Sequence, residues 1–471
     1  MVLRGYHMRF ARYFTLSAKE GERDAARGFA GSLVDGSAGV PQIQTAVSWG
    51  ANKPSTCLNI GFTSGGLVNI GMPSELVAAS FNTYAHRPFY NGAATNNVSI
   101  GDVGPNDPQY WLIDDRKFDV MLALWADTLA NLNATSAVLR NIFSAGFTET
   151  GAFDSQDLPD GQIYFGYRDG LGQPTLIGNI SQQPPDGDQT LVDTGAFILG
   201  TGTTPFFNAD TVNVPQPAPF GNFGSFGAFR MLQQHVDHFE AFLDANAPAF
   251  GQMYSIADLA YAREALKATI IGRWSNGTSL MYWPFSKGTP PPNLDDQTIN
   301  DFGYANDLHG YTCPFGSHIR RGNPRDSQPD QDASLHRIMR RAMPYQNPYD
   351  PNDRNTGETG LIGFFINSSL TDQFEFLMSQ WIDSYGSLSQ DPADPAIGYN
   401  VLAYDPSKPG DVPPYNFTLS APKPIPPPRT VTLPLTIGAP PFTQTRGSAY
   451  CFLPGICGIE WIATKGWIRQ G

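Results

Sequence analysis

Glycine and proline set the first limit on what this chain can fold into. There are 48 Gly and 40 Pro among 471 residues. Proline breaks helix interiors and central strands, and glycine weakens both. A chain interrupted this often is no coiled coil. Charged residues make up only 15%, whereas hydrophobic residues reach 41% and aromatics 12%. That is enough apolar material for a sizeable core and excludes a wholly disordered chain. The expectation is a compact protein with long ordered loops, built as two or three domains or one large one.

Thirty Lys and Arg stand against 43 Asp and Glu, a net charge of −13. The acidic balance argues against a nucleic-acid partner, which needs a basic surface. No apolar run approaches the roughly 20 residues that span a bilayer, so no membrane partner is expected. Arg4, Arg9 and Arg12 interrupt the apolar residues near the start, and no signal-peptide core is visible. As it stands the chain reads as cytoplasmic. Sequons at Asn97, Asn133, Asn179, Asn276, Asn367 and Asn416 keep secretion of a longer precursor open. Four cysteines form neither a disulfide framework nor a zinc pattern. Cys451 and Cys457 flank a Pro454-Gly455 turn, and a pairing between them stays open.

Along the chain, residues 10–16 alternate as a strand, and 17–34 read as a helix with Ser17 as cap and Glu20 three residues on. Residues 58–71 read as a strand, a glycine turn and a new element. The stretch 118–143 has the pattern of one amphipathic helix, and 195–200 that of a buried strand. A Thr-, Pro- and Asn-rich stretch, 201–222, marks a boundary between a domain 1–215 and a domain 216–471. In the second domain, 225–246 begins as a strand and becomes a helix. Residues 335–345 and 360–369 read as strands and 372–385 as a helix. The Pro-rich segment 405–442 carries apolar runs that suit packing back onto the fold. Each half therefore shows a strand, a helix and further strands.

The most telling local feature is CPFGSHIRRGNPR, residues 313–325. It places His318 beside Arg320, Arg321 and Arg325 with no acid among them, in a chain that is acidic overall. A haem answers both needs, offering iron to the imidazole and two propionates to the arginines. The alternative is a solvated basic loop. GYRDGLGQP, 166–174, offers one carboxylate, Asp169, in a Gly-flanked turn that can approach a flat ligand closely; an ordinary Asp-Gly turn is the competing reading. In 335–345, a strand places Arg337 and Arg341 on one face and Arg340 on the other, where an isolated guanidinium suits an anion. His235 and His238 have helical ligand spacing but no third ligand, and His7, His86, His309 and His336 have no partner pattern.

Taken together, these segments resemble the dye-decolourising (DyP-type) haem peroxidases. The resemblance runs through RGYHMRFARYFTL, NIGFTSGGL, GYRDG, DTGAFILG, SFGAFRMLQQHVDHFEAFL, GRWSNGT, the block 300–325 and RRAMPY, in family order. It implies an α+β fold of two ferredoxin-like halves, each an antiparallel sheet with peripheral helices. One haem b per chain is held mainly by the C-terminal half. His318 matches the iron ligand, Asp169 the aspartate of the GxxDG motif, and Arg340 the distal arginine. Arg320, Arg321, Arg325, Gly170 and Leu361 are implied to contact the cofactor. Asp394 is the candidate acid behind His318. Tyr345 and Trp381 match positions tied to electron transfer toward the surface for large dyes.

The family commonly reads GLLF where this chain has Gly360-Leu361-Ile362-Gly363, so a distal Phe is replaced by Gly363 unless Phe364 fills the space. The implied activity is reduction of hydrogen peroxide and one-electron oxidation of dyes, phenolic or other aromatic reductants, by a monomer or homodimer. A carboxylate base, with a reference pKa of about 4, stays ionised where histidine is protonated. Two other readings differ in kind: a haem-binding or haem-delivery protein without turnover, and a structural α+β protein without haem.

Overall fold

The computed structural model describes residues 1–36, 39–177, 191–202, 214–295, 298–327, 333–350, 356–384, 390–408, 412–423 and 429–468. It is an α+β fold organised by one large sheet. The sheet strands are β1 (Phe10–Ala18), β2 (Thr56–Phe62), β3 (Ile113–Asp114), β4 (Val120–Ala126), β5 (Phe147–Gln156), β6 (Ser225–Gln234), β7 (Met339–Asn347) and β8 (Glu358–Asn367). After these, β9 (Tyr415–Lys423) and β10 (Arg429–Ile437) form a separate hairpin, and β11 (Thr443–Leu453) returns to the sheet.

The strand order is β2-β4-β1-β5-β7-β8-β6-β11-β3. The first four strands and the next four follow the same internal order, that of a split βαβ unit. Two narrow seams join them. Ser155 of β5 pairs with Tyr345 of β7, and Phe452 of β11 pairs with Phe62 of β2, which closes eight strands into a ring. Alternate side chains from both half-sheets fill the ring: Tyr13 meets Phe229 at 5.0 Å and Phe364 at 6.5 Å. Outside the first half-sheet, helices Arg23–Asp35 and Leu129–Phe143 cover a core built on Phe14, Leu58, Ile60 and Leu122. Outside the second, helices Val236–Tyr254 and Leu259–Ile271 pack with the β9–β10 hairpin through Phe242, Leu266, Phe417 and Leu435. The Pro-rich segment thus does pack back onto the fold.

Several sequence expectations are corrected here. Residues 118–143 are not one helix. Val120–Ala126 is a strand buried at every position, and such a run has no period to separate it from the helix that follows Thr128. Ser17 caps nothing: it pairs with Thr148 as β1 runs on to Ala18, and the helix begins only at Arg23. Residues 195–200 are apolar and mostly buried but form no strand, because Asp193 caps a tight turn at Thr194–Ala196. Cys451 is buried in β11 while Cys457 is exposed, and both are free thiols. Most of the expected boundary stretch, 203–213, lies outside the described residues. No helix among the described residues is long and apolar enough to cross a membrane.

Phe364 links the two half-sheets inside the ring and is 1% exposed. Phe364→Ala is expected to lower the unfolding free energy by about 3–5 kcal/mol, measured by urea denaturation. A loss below about 1 kcal/mol would mean the ring interior is not a packed core.

Candidate functional site

A cavity of about 600 Å³ lies against the outer face of the second half-sheet. Alternation decides which side chains form its floor. From β8, Leu361, Gly363 and Phe365 face the cavity while Ile362, Phe364 and Ile366 face the ring interior. From β7 come Arg340, Ala342 and Pro344, and from β6 come Arg230, Leu232 and Gln234.

One wall is the loop around Asp169, contributed by the first half of the chain. Gly170 and Gly172 hold φ values of +78° and +69°, which side-chain-bearing residues rarely adopt, so the loop can turn tightly against the cavity. Arginines from the second half fix it. Arg340 Nη2 donates to Leu171 O at 2.6 Å, Arg337 Nη2 donates to Gly172 O at 3.1 Å, and Arg340 N donates to Gln173 Oε1 at 3.0 Å. These bonds leave Arg340 Nη1 3.7 Å from Asp169 Oδ1, with both side chains about one-third exposed (35% and 38%). The carboxylate and guanidinium are close without being locked together.

His318 opens the short helix His318–Gly322 and also lines the cavity. Its Nδ1 lies 2.9 Å from Asp394 Oδ2. Asp394 is fully buried, and its other oxygen accepts from Ala396 N at 2.8 Å and Ile397 N at 3.2 Å. An ionised carboxylate accepts only, so a neutral His318 ring in this contact carries its proton on Nδ1 and presents the lone pair of Nε2 to a ligand.

The arginines divide differently from the sequence expectation. Arg320 and Arg321 do not line the cavity. Arg320 is 1% exposed, pairs with Asp307 at 2.9 Å, donates to Cys313 O at 2.7 Å, and lies between Tyr304 and Phe315. Arg321 is 2% exposed and donates to the carbonyls of Ile382 and Asp391. Their guanidiniums hold the His318 segment in place and are not available to a cofactor. Arg325 does line the cavity, stacked over Phe302, with its Nε buried and unbonded among the described residues.

Arg273 and Arg337, to which sequence reasoning gave no cofactor role, line the cavity as well. For Arg337 the strand pattern misled, since β7 starts only at Met339 and alternation does not extend back to 337. Arg273 sits in the GRWSNGT segment directly after an apolar helix, and that position was the available signal. Burial, then repulsion from Arg325 and Arg340, pushes both guanidiniums down to about 9. His7 lines the cavity too, while His235 Nε2 is engaged 3.2 Å from Gln444 Oε1.

No family model matches the chain. Among curated proteins, Peroxidase 2 of Mycetinis scorodonius is 27% identical over 432 residues, covering 87% of this chain and 77% of that protein. The dye-decolorizing peroxidase AauDyP1 of Auricularia auricula-judae is 28% identical over 382 residues, covering 76% and 69% respectively. Over most of its length this chain is similar to dye-decolourising peroxidases. The crystal structure of a decolorizing peroxidase from Auricularia auricula-judae shares the fold, with a TM-score of 0.73 at 24% identity over 98% of this chain and 97% of that one. A dye-decolorizing peroxidase whose heme pocket was engineered for asymmetric sulfoxidation gives 0.72 at 24% identity, with 98% and 96% covered.

The structure places the three aromatic residues singled out from the resemblance. Phe364 does not fill the place of a distal Phe, because it points into the ring against Phe229 at 4.8 Å. Tyr345 and Trp381 are both buried. Tyr345 is 2% exposed in the ring interior, its hydroxyl donating to Glu358 Oε1 at 2.6 Å. Trp381 is 5% exposed and packs with Leu377, Phe376 and His336.

Arg320→Ala leaves Asp307 buried without its cation. It is expected to cost about 3–5 kcal/mol of stability, read by denaturant unfolding of the cofactor-free protein. A loss under about 1 kcal/mol would return Arg320 to the pool of candidate ligand contacts.

Proposed function

We propose that this chain is a haem peroxidase that reduces hydrogen peroxide and oxidises dyes, phenols and other aromatic reductants one electron at a time. One observation carries the reading: a single cavity receives both His318, backed by Asp394, and the Asp169–Arg340 pair.

The residues present fit a haem. Six arginines line the cavity (Arg168, Arg230, Arg273, Arg325, Arg337 and Arg340) against four aspartates (Asp102, Asp157, Asp169 and Asp383). Arg230 and Asp102 neutralise each other in a tight buried pair. The lining is thus net positive within a protein of charge −13, as two carboxylates require. Apolar side chains such as Ile319, Leu361, Phe365 and Leu377 suit the faces of a flat ring system. In our assignment one haem b binds per chain, His318 holds its iron through Nε2, Arg325 and Arg337 attract its propionates while Arg273, held by Gly277 O, Ile299 O and Asn300, adds only its charge to the wall, and Gly170 and Leu361 border the ring. When bound, haem supplies the redox centre at which peroxide is reduced and to which the second substrate returns electrons.

The chain's own groups supply proton transfer and charge. Asp169 takes the proton from the incoming peroxide and returns it to the oxygen that leaves, acting as general base and then acid. Arg340 stabilises the negative charge that grows as the O–O bond breaks. Its bonds to Leu171 O and Gln173 hold it over the same loop that carries Asp169. Asp394 fixes the orientation of the His318 ring. Tyr345 and Trp381 serve as buried relays for electrons from dyes too large to enter. In this reading residues 1–215 and 216–471 are two related domains acting as a monomer or homodimer, supported by the repeated strand order.

His318→Ala is expected to abolish stoichiometric haem binding, seen as loss of the Soret band from the purified protein, whereas His235→Ala keeps it. Full haem with an unchanged spectrum in His318→Ala contradicts the ligand assignment. Asp169→Asn and Arg340→Leu are expected to keep haem yet slow the reaction with peroxide in stopped-flow mixing, Asp169→Asn by about 10²–10⁴-fold. Because both side chains act on one bond cleavage, the double variant should fall short of the product of the two losses. If Asp169→Asn reacts at the parent rate while Arg340→Leu is dead, the proton-transfer role is wrong.

A further inference from the structure

We propose that the cavity floor beside Arg340 accepts the organic group of a bulky, uncharged hydroperoxide, so that this chain reduces organic hydroperoxides as well as hydrogen peroxide. The proposal rests on the peroxidase reading and assigns a substrate class to the same site.

Ala342 of β7 stands directly opposite Gly363 of β8, and both line the cavity. Ala342 is two residues from Arg340 on the same strand face, about 7 Å along the strand. The floor next to the guanidinium that attends O–O cleavage is therefore built from a methyl group and no side chain at all. Neither neighbour of Gly363 closes the gap. Phe364 is turned into the ring, and Phe365 is stacked on Phe374 at 5.6 Å. A side chain at 363 is also excluded, because its Cβ would stand 2.2 Å from Arg341 O and 2.4 Å from Ala342 Cα.

On its other side Gly363 is in register with Arg230. Arg230 is bound to Asp102 through two contacts of 2.5 and 2.6 Å and also donates to Thr445 Oγ1. Its charge is cancelled, so the slot attracts no anion. The remaining neighbours, Leu232 and Leu361, are apolar. An uncharged alkyl or aryl group fits this chemistry, with its peroxide oxygens directed toward Arg340 and Asp169.

The reaction balances with the reductants already assigned: one ROOH and two phenols give ROH, water and two phenoxyl radicals. The O–O bond breaks, and Asp169 returns the hydroperoxide proton to the departing RO oxygen. The other oxygen leaves as water with the two phenolic hydrogens, and the two phenols supply the two electrons.

The test uses the haem-loaded protein with cumene hydroperoxide and hydrogen peroxide as oxidants, and with 4-phenylimidazole and imidazole as binding probes followed by the Soret shift. In the parent, kcat/KM for cumene hydroperoxide should lie within about tenfold of that for hydrogen peroxide, and 4-phenylimidazole should bind no more than about tenfold more weakly than imidazole. Ala342→Leu, and Ala342→Val as a milder filling, should lower both bulky-to-small ratios, Ala342→Leu by at least about tenfold. Each ratio is internal to one preparation, so partial misfolding does not mimic the effect. A parent that discriminates more strongly against either bulky probe, or ratios that do not move in the Ala342 variants, overturns the proposal. A parent without a Soret band or hydrogen peroxide turnover overturns the peroxidase reading itself.

Discussion

Positive charge gathered on a buried wall is costly unless an anion meets it, and this constraint governs the site. Arg273 and Arg337 are almost fully buried at 6% and 9% exposure, and Arg325 and Arg340 face the same space. Burial, and then repulsion from Arg325 and Arg340, pushes the guanidiniums of Arg273 and Arg337 down to about 9. Arg320 shows the other solution: equally buried, it carries its own carboxylate, Asp307, at 2.9 Å. Arg320, like Arg230 with Asp102, is thus neutralised within the protein, whereas Arg325 and Arg337 border a cavity suited to a ligand with carboxylates of its own.

The architecture brings that wall together from distant parts of the chain. The two half-sheets touch through narrow seams, so few strand contacts set their relation. The loop around Asp169 crosses from the first half to the second and is pinned there by Arg337 and Arg340. The residues proposed to move protons thus come from both halves, while His318 and Asp394 come from the second alone. A perturbation of β7 reaches Asp169 through these bonds without touching its carboxylate.

Much of the site was legible in the sequence because its residues sit in compact, chemically odd segments. His318 stood out as a histidine among arginines, and Asp169 as a lone acid between glycines. What fails is placing a side chain by its neighbours in sequence alone. Arg320 and Arg321 flank the histidine in sequence, yet the helix turn carries them away from the cavity to Asp307 and to backbone carbonyls. Arg273 is far from His318 in sequence but on the same cavity. Strand β4 merged with the helix after it because a strand buried on both faces has no polar alternation to betray it. Whether Phe364 could replace a missing distal Phe was a question of strand parity, which the register of β8 against β6 and β7 answers.

In the proposed assignment the net-positive wall meets the two carboxylates of a haem beside His318. Titrating the cofactor-free protein with haem and with its dimethyl ester, in which both propionates are blocked, tests this most directly. The free acid is expected to saturate at one equivalent with a sharp Soret shift, and the ester to bind at least about tenfold more weakly, because charge-assisted bonds are lost. Equal binding of acid and ester, or no saturable binding of either, would contradict it.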